Sequence, residues 1–205
     1  MIELRNQSTL SVRALFALHH GPYSLEINSG SCVVITGESG AGKSVFLRMI
    51  ADLIPNAGQV FLDGKERNSF APSEWRKQVT YIAAESGWWA KTVKEHFTDL
   101  EMAYYWLPKF NLKEELLDAD VVQLSTGEKQ RMALIRAFSS KVRFLLLDEI
   151  TSALDPKSVI VVEQCIQELQ KQNIGILLVS HNMEQVKRLA TSHYQLITDQ
   201  LVLCS

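Results

Sequence analysis

Two short stretches of this sequence carry side chains able to act together on a chain of phosphates. The first, Gly37-Glu38-Ser39-Gly40-Ala41-Gly42-Lys43-Ser44, has the spacing G-x-x-x-x-G-K-S. Phosphate carries dense negative charge, and a loop surrounds it only where the backbone turns tightly with its N–H groups pointing inward. Glycine permits both the dihedral angles and the close approach. Lys43 then supplies a mobile cation for terminal phosphates and Ser44 a hydroxyl for Mg²⁺. The second stretch is Asp148-Glu149, at the end of the apolar run Phe144-Leu145-Leu146-Leu147. Asp148 is suited to supporting Mg²⁺, directly or through water, and Glu149 to polarising a water that attacks phosphorus. The bland alternatives are a glycine-rich turn and two solvated acids closing a strand. The buried strand before the loop and the amphipathic helix after it argue against the first, and the loop's demand for a Mg²⁺ partner argues against the second.

Such groups act only if the fold delivers them to one place. Cys32-Val33-Val34-Ile35, just before the glycine-rich loop, is a continuous apolar run bounded by turn residues, as in a strand buried on both faces. After the loop, Phe46, Leu47, Ile50 and Leu53 recur at helical spacing, which predicts a helix from Lys43 to Leu53 that Pro55 ends. Phe144–Leu147 and Ile174–Val179 read as further buried strands. Tyr23–Ile27, Gln59–Gly64 and Val79–Ala83 read as strands, and Pro72 opens a short helix. Helical patterns broken by Pro108 run from about Thr92 to Val122, and Glu128–Ser139 reads as a helix. Asp155-Pro156 starts another helix, with Asp as N-cap, and Asn182 with Gln185 has the capping spacing of a last long one. Buried strands alternating with helices predict an α/β sheet covered on both faces, with the ligand crevice outside the carboxyl ends of its strands.

Composition narrows the class. The chain has 205 residues, 46% of them hydrophobic and 21% charged, with net charge −2. That is the balance of an ordinary globular protein long enough to bury about 70% of its unfolded surface without staples. No basic block is present, so nucleic acid is not expected as a partner. Cys32, Cys165 and Cys204 show no CxxC spacing and are expected to be reduced structural thiols. The N-terminal residues lack the apolar core of a signal peptide, and no apolar run approaches the ~20 residues of a membrane helix. Any bilayer-crossing part is expected to belong to another chain.

Leu124-Ser125-Thr126-Gly127-Glu128-Lys129-Gln130-Arg131, followed by Met132-Ala133-Leu134-Ile135-Arg136-Ala137, resembles the signature motif of the ABC ATPases. Ser152-Ala153-Leu154-Asp155 resembles their D-loop, and His181, after Ile176–Val179, their switch histidine. With the phosphate loop and the acidic pair, these motifs span the chain from about Tyr23 to Leu196 in the family's order. The resemblance implies a P-loop NTPase sheet core with a small antiparallel β region and an inserted helical lobe at about residues 90–140, all within one domain over residues 1–205. It implies ATP and Mg²⁺ as cofactors, with Lys43, Glu149 and His181 catalytic, Ser44 and Asp148 at the metal, and Gly37–Ser44 around the phosphates. Phe16 is the candidate for stacking on adenine. His19, His20, His96 and His193 have no motif behind them and are read as structural.

In that family the signature serine closes on nucleotide held by a partner subunit, so Ser125, Thr126, Gly127 and Glu128 are expected to act in trans, on a second copy or a homologous chain. The resemblance further implies a separate integral membrane permease and a location on the cytoplasmic face of the inner or plasma membrane. The expected function is ATP hydrolysis that powers a transporter, the alternatives being a soluble ABC-type ATPase or a low-turnover nucleotide-gated regulator. The run Leu146–Asp155 is also similar to small bacterial ATPases paired with a metal-handling permease. One departure stands out. The family's glutamine after the strand Val79–Ala83 is replaced by Ala84, leaving Glu85 as a possible metal contact. Trp88 and Trp89 follow, in a stretch that faces the membrane partner in transporters; they serve either packing or, if exposed, a partner. Tyr104, Tyr105 and Trp106 are expected to pack in the lobe.

Overall fold

The computed structural model describes residues 8–83 and 87–204. Ala84 and Glu85, the departure noted above, lie outside the described residues. Four strands, β1 (Thr9–Ala17), β2 (His20–Asn28), β4 (Ala57–Leu62) and β5 (Lys65–Glu66), form an antiparallel sheet in the order β2-β1-β4-β5. A second sheet contains β3 (Cys32–Gly37), β6 (Val79–Ile82), β7 (Phe144–Asp148), β8 (Gly175–Val179), β9 (Ser192–Ile197) and β10 (Gln200–Cys204). Its order is β10-β9-β3-β8-β7-β6, parallel from β9 to β6, with β10 added antiparallel at one edge.

The unbroken apolar runs follow from this topology, because both faces of the parallel sheet are covered. Val34, Leu145, Leu147, Ile176 and Leu178 point to one face and pack with α4 (Thr126–Phe138), α5 (Pro156–Lys171) and α6 (Met183–Leu189). Val33, Ile35, Phe144, Leu146, Leu177 and Val179 point to the other, against α1 (Lys43–Ile50), α2 (Pro72–Gln78) and the antiparallel sheet. The alternation is the two-residue period of a strand. It fixes the register, since a one-residue slip would exchange the two cores.

The helix predicted from Lys43 to Leu53 ends at Ile50. Its last carbonyls are claimed from outside: Arg67 donates to Met49 O at 2.6 Å, and the buried Trp75 indole donates to Ile50 O at 2.9 Å. Asp52 then turns the chain with φ 58°, so Leu53 lies outside the helix. The helical pattern from Thr92 to Val122 resolves into one seven-residue helix, α3 (Leu100–Trp106), and three single 3₁₀ turns. Asp99 caps α3 through Met102 N, and Pro108 follows two residues past its end. Trp106 is fully buried against Phe138, as expected, whereas Tyr104 and Tyr105 are exposed. The last helix, α6, is seven residues rather than long, though Asn182 caps it through Glu184 N and Gln185 N. The strands β1, β9 and β10 have no counterpart in the sequence reading. Among the described residues no helix is long and apolar enough to cross a membrane.

Gly175 opens β8 where a Cβ would run into the fully buried Phe144 ring and lie 3.0 Å from Asn28 O. Gly175→Ala is expected to cost about 1–3 kcal/mol through overpacking. In urea unfolding this appears as a lower midpoint with an unchanged slope; an unchanged midpoint would contradict the packing described.

Candidate functional site

Strands β3, β8 and β7 are neighbours, and the groups singled out in the sequence emerge from their carboxyl ends. The loop Gly37–Gly42 leaves β3 and feeds directly into α1, the place where backbone N–H groups and a helix N-terminus face an anion together. Glu38, Ser39 and Gly40 are exposed, Ala41 is half-buried, and Ala41 N donates to Glu38 O at 3.3 Å. Gly42 has φ 93°, and a Cβ there would lie 2.5–3.0 Å from the His20 ring. Both the dihedral and the space therefore demand glycine at that position.

Lys43 is 5% exposed, and its ammonium donates to Gly37 O at 2.9 Å and Glu38 O at 2.7 Å. Burial holds it below the usual lysine range, opposed by the charges of Glu149 and Asp148. Ser44 Oγ donates to Asp148 Oδ1 at 2.9 Å, which ties the start of α1 to the end of β7. Asp148 Oδ2 accepts from the Tyr81 hydroxyl at 2.7 Å, and Tyr81 in turn accepts from Arg48 Nε at 3.3 Å. Burial, with the Asp148 carboxylate adding to it, pushes the Tyr81 hydroxyl up to about 12, so it stays a donor at neutral pH. Both oxygens of Asp148 are thus held by donors from two other elements.

Glu149 has φ 51°, a left-handed backbone that costs about 1–3 kcal/mol for a non-glycine residue. It is held there by Glu149 N donating to Val179 O at 3.2 Å and Ser152 N donating to Glu149 O at 3.1 Å. The outcome is a sharp turn after Asp148 that sends the two carboxylates different ways. Asp148 is buried against Ser44, while Glu149 meets His181 Nε2 at 2.7 Å in a half-exposed position. Beside this pair an open cleft of about 550 Å³ is lined by Ser152, Leu154, Ile160, Ser180 and Asn182. Ser152, Ala153 and Leu154 form the turn beyond it, and Asp155 caps α5 through Lys157 N and Ser158 N at 3.0 and 3.1 Å.

The structure therefore gathers Lys43, Ser44, Asp148, Glu149 and His181. It does not bring Ser125 to them. Ser125, Thr126, Gly127 and Glu128 sit at the start of α4, where Ser125 and Glu128 bond to each other in a reciprocal capping box. A Cβ at Gly127 would meet nothing within 4 Å, and among the described residues the side-chain hydrogen bonds of Ser125 go to Glu128 and not to the loop 37–44. Phe16 is half-exposed on β1, with its Cβ against Gly21 and so beside His20.

Sequence reasoning missed Tyr81, Arg48 and His20. The one signal for Tyr81 was a hydroxyl near the end of a strand, which the register places opposite Leu146 on β7. A second surface lies across the sheet from the loop. Trp88 is half-buried and Trp89 is 73% exposed. Arg136 stacks 4.8 Å from both rings, and the buried His96 accepts from Trp89 N and Ala90 N at 2.9 and 3.0 Å. A cleft of about 420 Å³ opens there, with Ile82, Ala133 and Ala137 in its wall. His96 is structural, as expected.

Comparison with known proteins adds what geometry alone does not. A family model described as ABC transporter matches residues 21–152. The probable iron export ATP-binding protein FetA of Escherichia coli is 33% identical, over 80% of this chain and 78% of its own length. The putative ABC transporter ATP-binding protein YjkB of Bacillus subtilis is 35% identical, over 80% and 70%. A methionine import ATP-binding protein, MetN 1 of Pseudomonas syringae, is 34% identical over 92% of this chain and 62% of its own. Among solved structures, a bacterial Atm1-family ABC exporter with ATP bound superposes with a TM-score of 0.82 at 20% identity. That match covers 96% of this chain but only 38% of the exporter's, so it is a likeness of fold.

Tyr81→Phe removes a donor from a buried carboxylate and leaves the rest of the site in place. It is expected to lower stability by about 1–3 kcal/mol, measured by chemical unfolding, with no loss of secondary structure. A variant as stable as the parent would mean that Asp148 is held without it.

Proposed function

Because this chain belongs to the ABC transporter family of ATP-binding domains, we propose that it hydrolyses ATP to power a membrane transporter, through nucleotide-driven closure of two such chains. The observation that carries this reading is the split between the two halves of the site. Lys43, Ser44, Asp148, Glu149 and His181 converge at three adjacent strand ends, while the α4 terminus bearing Ser125 and Gly127 is capped by its own Glu128, with no atom within 4 Å of a Cβ at Gly127 among the described residues.

The division of labour follows from each group's surroundings. The loop amides of Gly37–Gly42 and the start of α1 bind the phosphates, and Lys43 exchanges its two carbonyl partners for phosphate oxygens. Phe16, half-exposed on β1, stacks on the base. Glu149, half-exposed and anchored to His181, orients and deprotonates the attacking water, and His181 keeps that carboxylate turned toward the terminal phosphate. Ser44 and Asp148 form a hydroxyl–carboxylate pair of hard oxygens, and among the described residues no cluster of three or more acidic, His or Cys side chains exists to cage a metal. That donor set fits Mg²⁺, which keeps most of its ligands as water and substrate phosphate. When bound, Mg²⁺ neutralises charge on the transferring phosphoryl group. The second chain's Ser125 and Gly127 complete the phosphate clamp, and its D-loop, Ser152–Asp155, faces the cleft beside Glu149.

A permease accounts for the other surface. Trp89 is an exposed aromatic beside a cleft, rigidly backed by Arg136 and His96, which is the character of an interface anchor. The chain then works at the cytoplasmic face of the membrane, with helices supplied by the permease.

Glu149→Gln keeps the shape of the site and removes the base, so the ATP-bound pair is expected to accumulate. With Mg-ATP, size-exclusion chromatography coupled to light scattering should give a dimer, with turnover down about a hundredfold or more. A variant that remains monomeric at high ATP and protein concentration argues against closure. Trp89→Asp, by contrast, should leave ATP binding intact while reducing co-sedimentation with membranes of the native host at least about threefold. Equal recovery of parent and variant would remove Trp89 from the docking surface.

A further inference from the structure

The two ends of the phosphate loop are braced by one β-hairpin. At the start of the loop, Gly37 lies in register with Leu196 of β9. At its end, the ring of His20 fills the space that a side chain at Gly42 would occupy, 2.5–3.0 Å from an ideal Cβ. His20 is itself gripped from the tip of the same hairpin, because His20 Nδ1 lies 3.0 Å from Asp199 Oδ1. The Tyr23 hydroxyl donates to that same oxygen at 3.0 Å, and its ring packs edge-on against Phe46 of α1, with centroids 4.8 Å apart. The carboxylate thus draws together the strand bearing His20, the helix that begins at Lys43 and the C-terminal hairpin.

The local backbone explains why Asp199 is fixed well enough to do this. β9 and β10 pair through Ile197 and Gln200, leaving only Thr198 and Asp199 between them. Both have positive φ, 45° and 59°, the mark of a tight two-residue hairpin turn. Such a turn has little freedom, so its carboxylate is a preset anchor. With Asp199 accepting, His20 carries its proton on Nδ1, which fixes the ring's orientation against Gly42. Among the described residues the ring's one side-chain hydrogen bond goes to Asp199, so it meets the loop by packing at Gly42.

We propose that His20, locked by Asp199, is a positioning residue that buttresses the phosphate loop at Gly42 and so sets the affinity for nucleoside triphosphate. A loop whose amides already point inward binds phosphate without the cost of ordering it, and this brace supplies that order at the helix end. The inference rests on the nucleotide site proposed above. It adds a residue on β2 and one on the last hairpin to the groups that determine binding.

The test measures ATP affinity by calorimetry and steady-state ATPase on the full chain, for the parent, Lys43→Ala, His20→Ala, Asp199→Ala and the double variant. His20→Ala is expected to weaken ATP binding roughly tenfold, raising KM in proportion, while kcat at saturating ATP stays within about twofold. Asp199→Ala should do the same to a smaller extent. Since Asp199 acts through His20, the double variant should bind no more weakly than His20→Ala alone. His20→Phe, which refills the space without the hydrogen bond, should recover part of the affinity. If His20→Ala does not fold, Asp199→Ala and His20→Phe carry the test. Folded variants with parental affinity, penalties that multiply in the double variant, or a fall in kcat with KM unmoved would each overturn the proposal. A parent that does not bind ATP, or binds it no better than Lys43→Ala, would instead sink the nucleotide site and this inference with it.

Discussion

A buried cation is the constraint around which this structure is organised. Lys43 is almost withdrawn from water, and an ammonium in that position is tolerated only where carbonyls and carboxylates receive it. Here two loop carbonyls hold it, with the charges of Asp148 and Glu149 nearby. The two carboxylates lie more than a hundred residues away along the chain. Only a parallel sheet that sets β3, β8 and β7 side by side, with both faces covered, brings them within reach. The same arrangement poises the ammonium for phosphate, because it can exchange weak carbonyl partners for charged ones without moving into or out of solvent.

The acidic pair shows how one turn of backbone separates two jobs. Asp148 continues the strand and is fixed on both oxygens. Glu149, one residue on, adopts a strained left-handed conformation that turns its carboxylate toward His181 and the open cleft. An unstrained continuation of the strand would carry Glu149 away from that cleft. The strain is sustained by hydrogen bonds to Val179 and Ser152, in the same turn that leads into Ser152–Asp155. In the proposed dimer, closure at this turn by a second chain therefore bears directly on the group that handles water.

Much of this was legible in the sequence. The loop, the acidic pair and the buried strands each show a local pattern whose physical reason is local: glycine where φ is positive, carboxylates after an apolar run, unbroken apolar residues where both faces are covered. The signature was legible as a resemblance, but the Ser125–Glu128 capping box that starts α4 at Thr126, two residues before the expected Glu128, was not. What escaped depended on contacts between distant segments. Helix α1 stops at Ile50 because Arg67 and Trp75 take its last carbonyls, and nothing near Leu53 announces that. The aromatic stretch before the signature kept its hydrophobic spacing but folded mostly into single turns around Pro108. His20 looked like an unremarkable histidine because Asp199 is 179 positions away. Tyr81 was legible as a strand residue but not as a partner of Asp148, since register between strands is set by the whole sheet.

The claim at the centre is that each working site is shared between two chains, and mixing two defective variants tests it most directly. Lys43→Ala destroys the phosphate side, and Ser125→Arg blocks the clamp that the partner supplies. Each variant alone should be nearly inactive, because every site in a uniform pair is damaged. A mixed pair contains one intact site, built from Lys43 of one chain and Ser125 of the other. An equimolar mixture is therefore expected to regain ATPase activity well above either parent, rising with total protein concentration. A mixture that forms mixed pairs yet stays as inactive as its parents, or a Ser125→Arg chain that turns over ATP at the parental rate, would contradict the account.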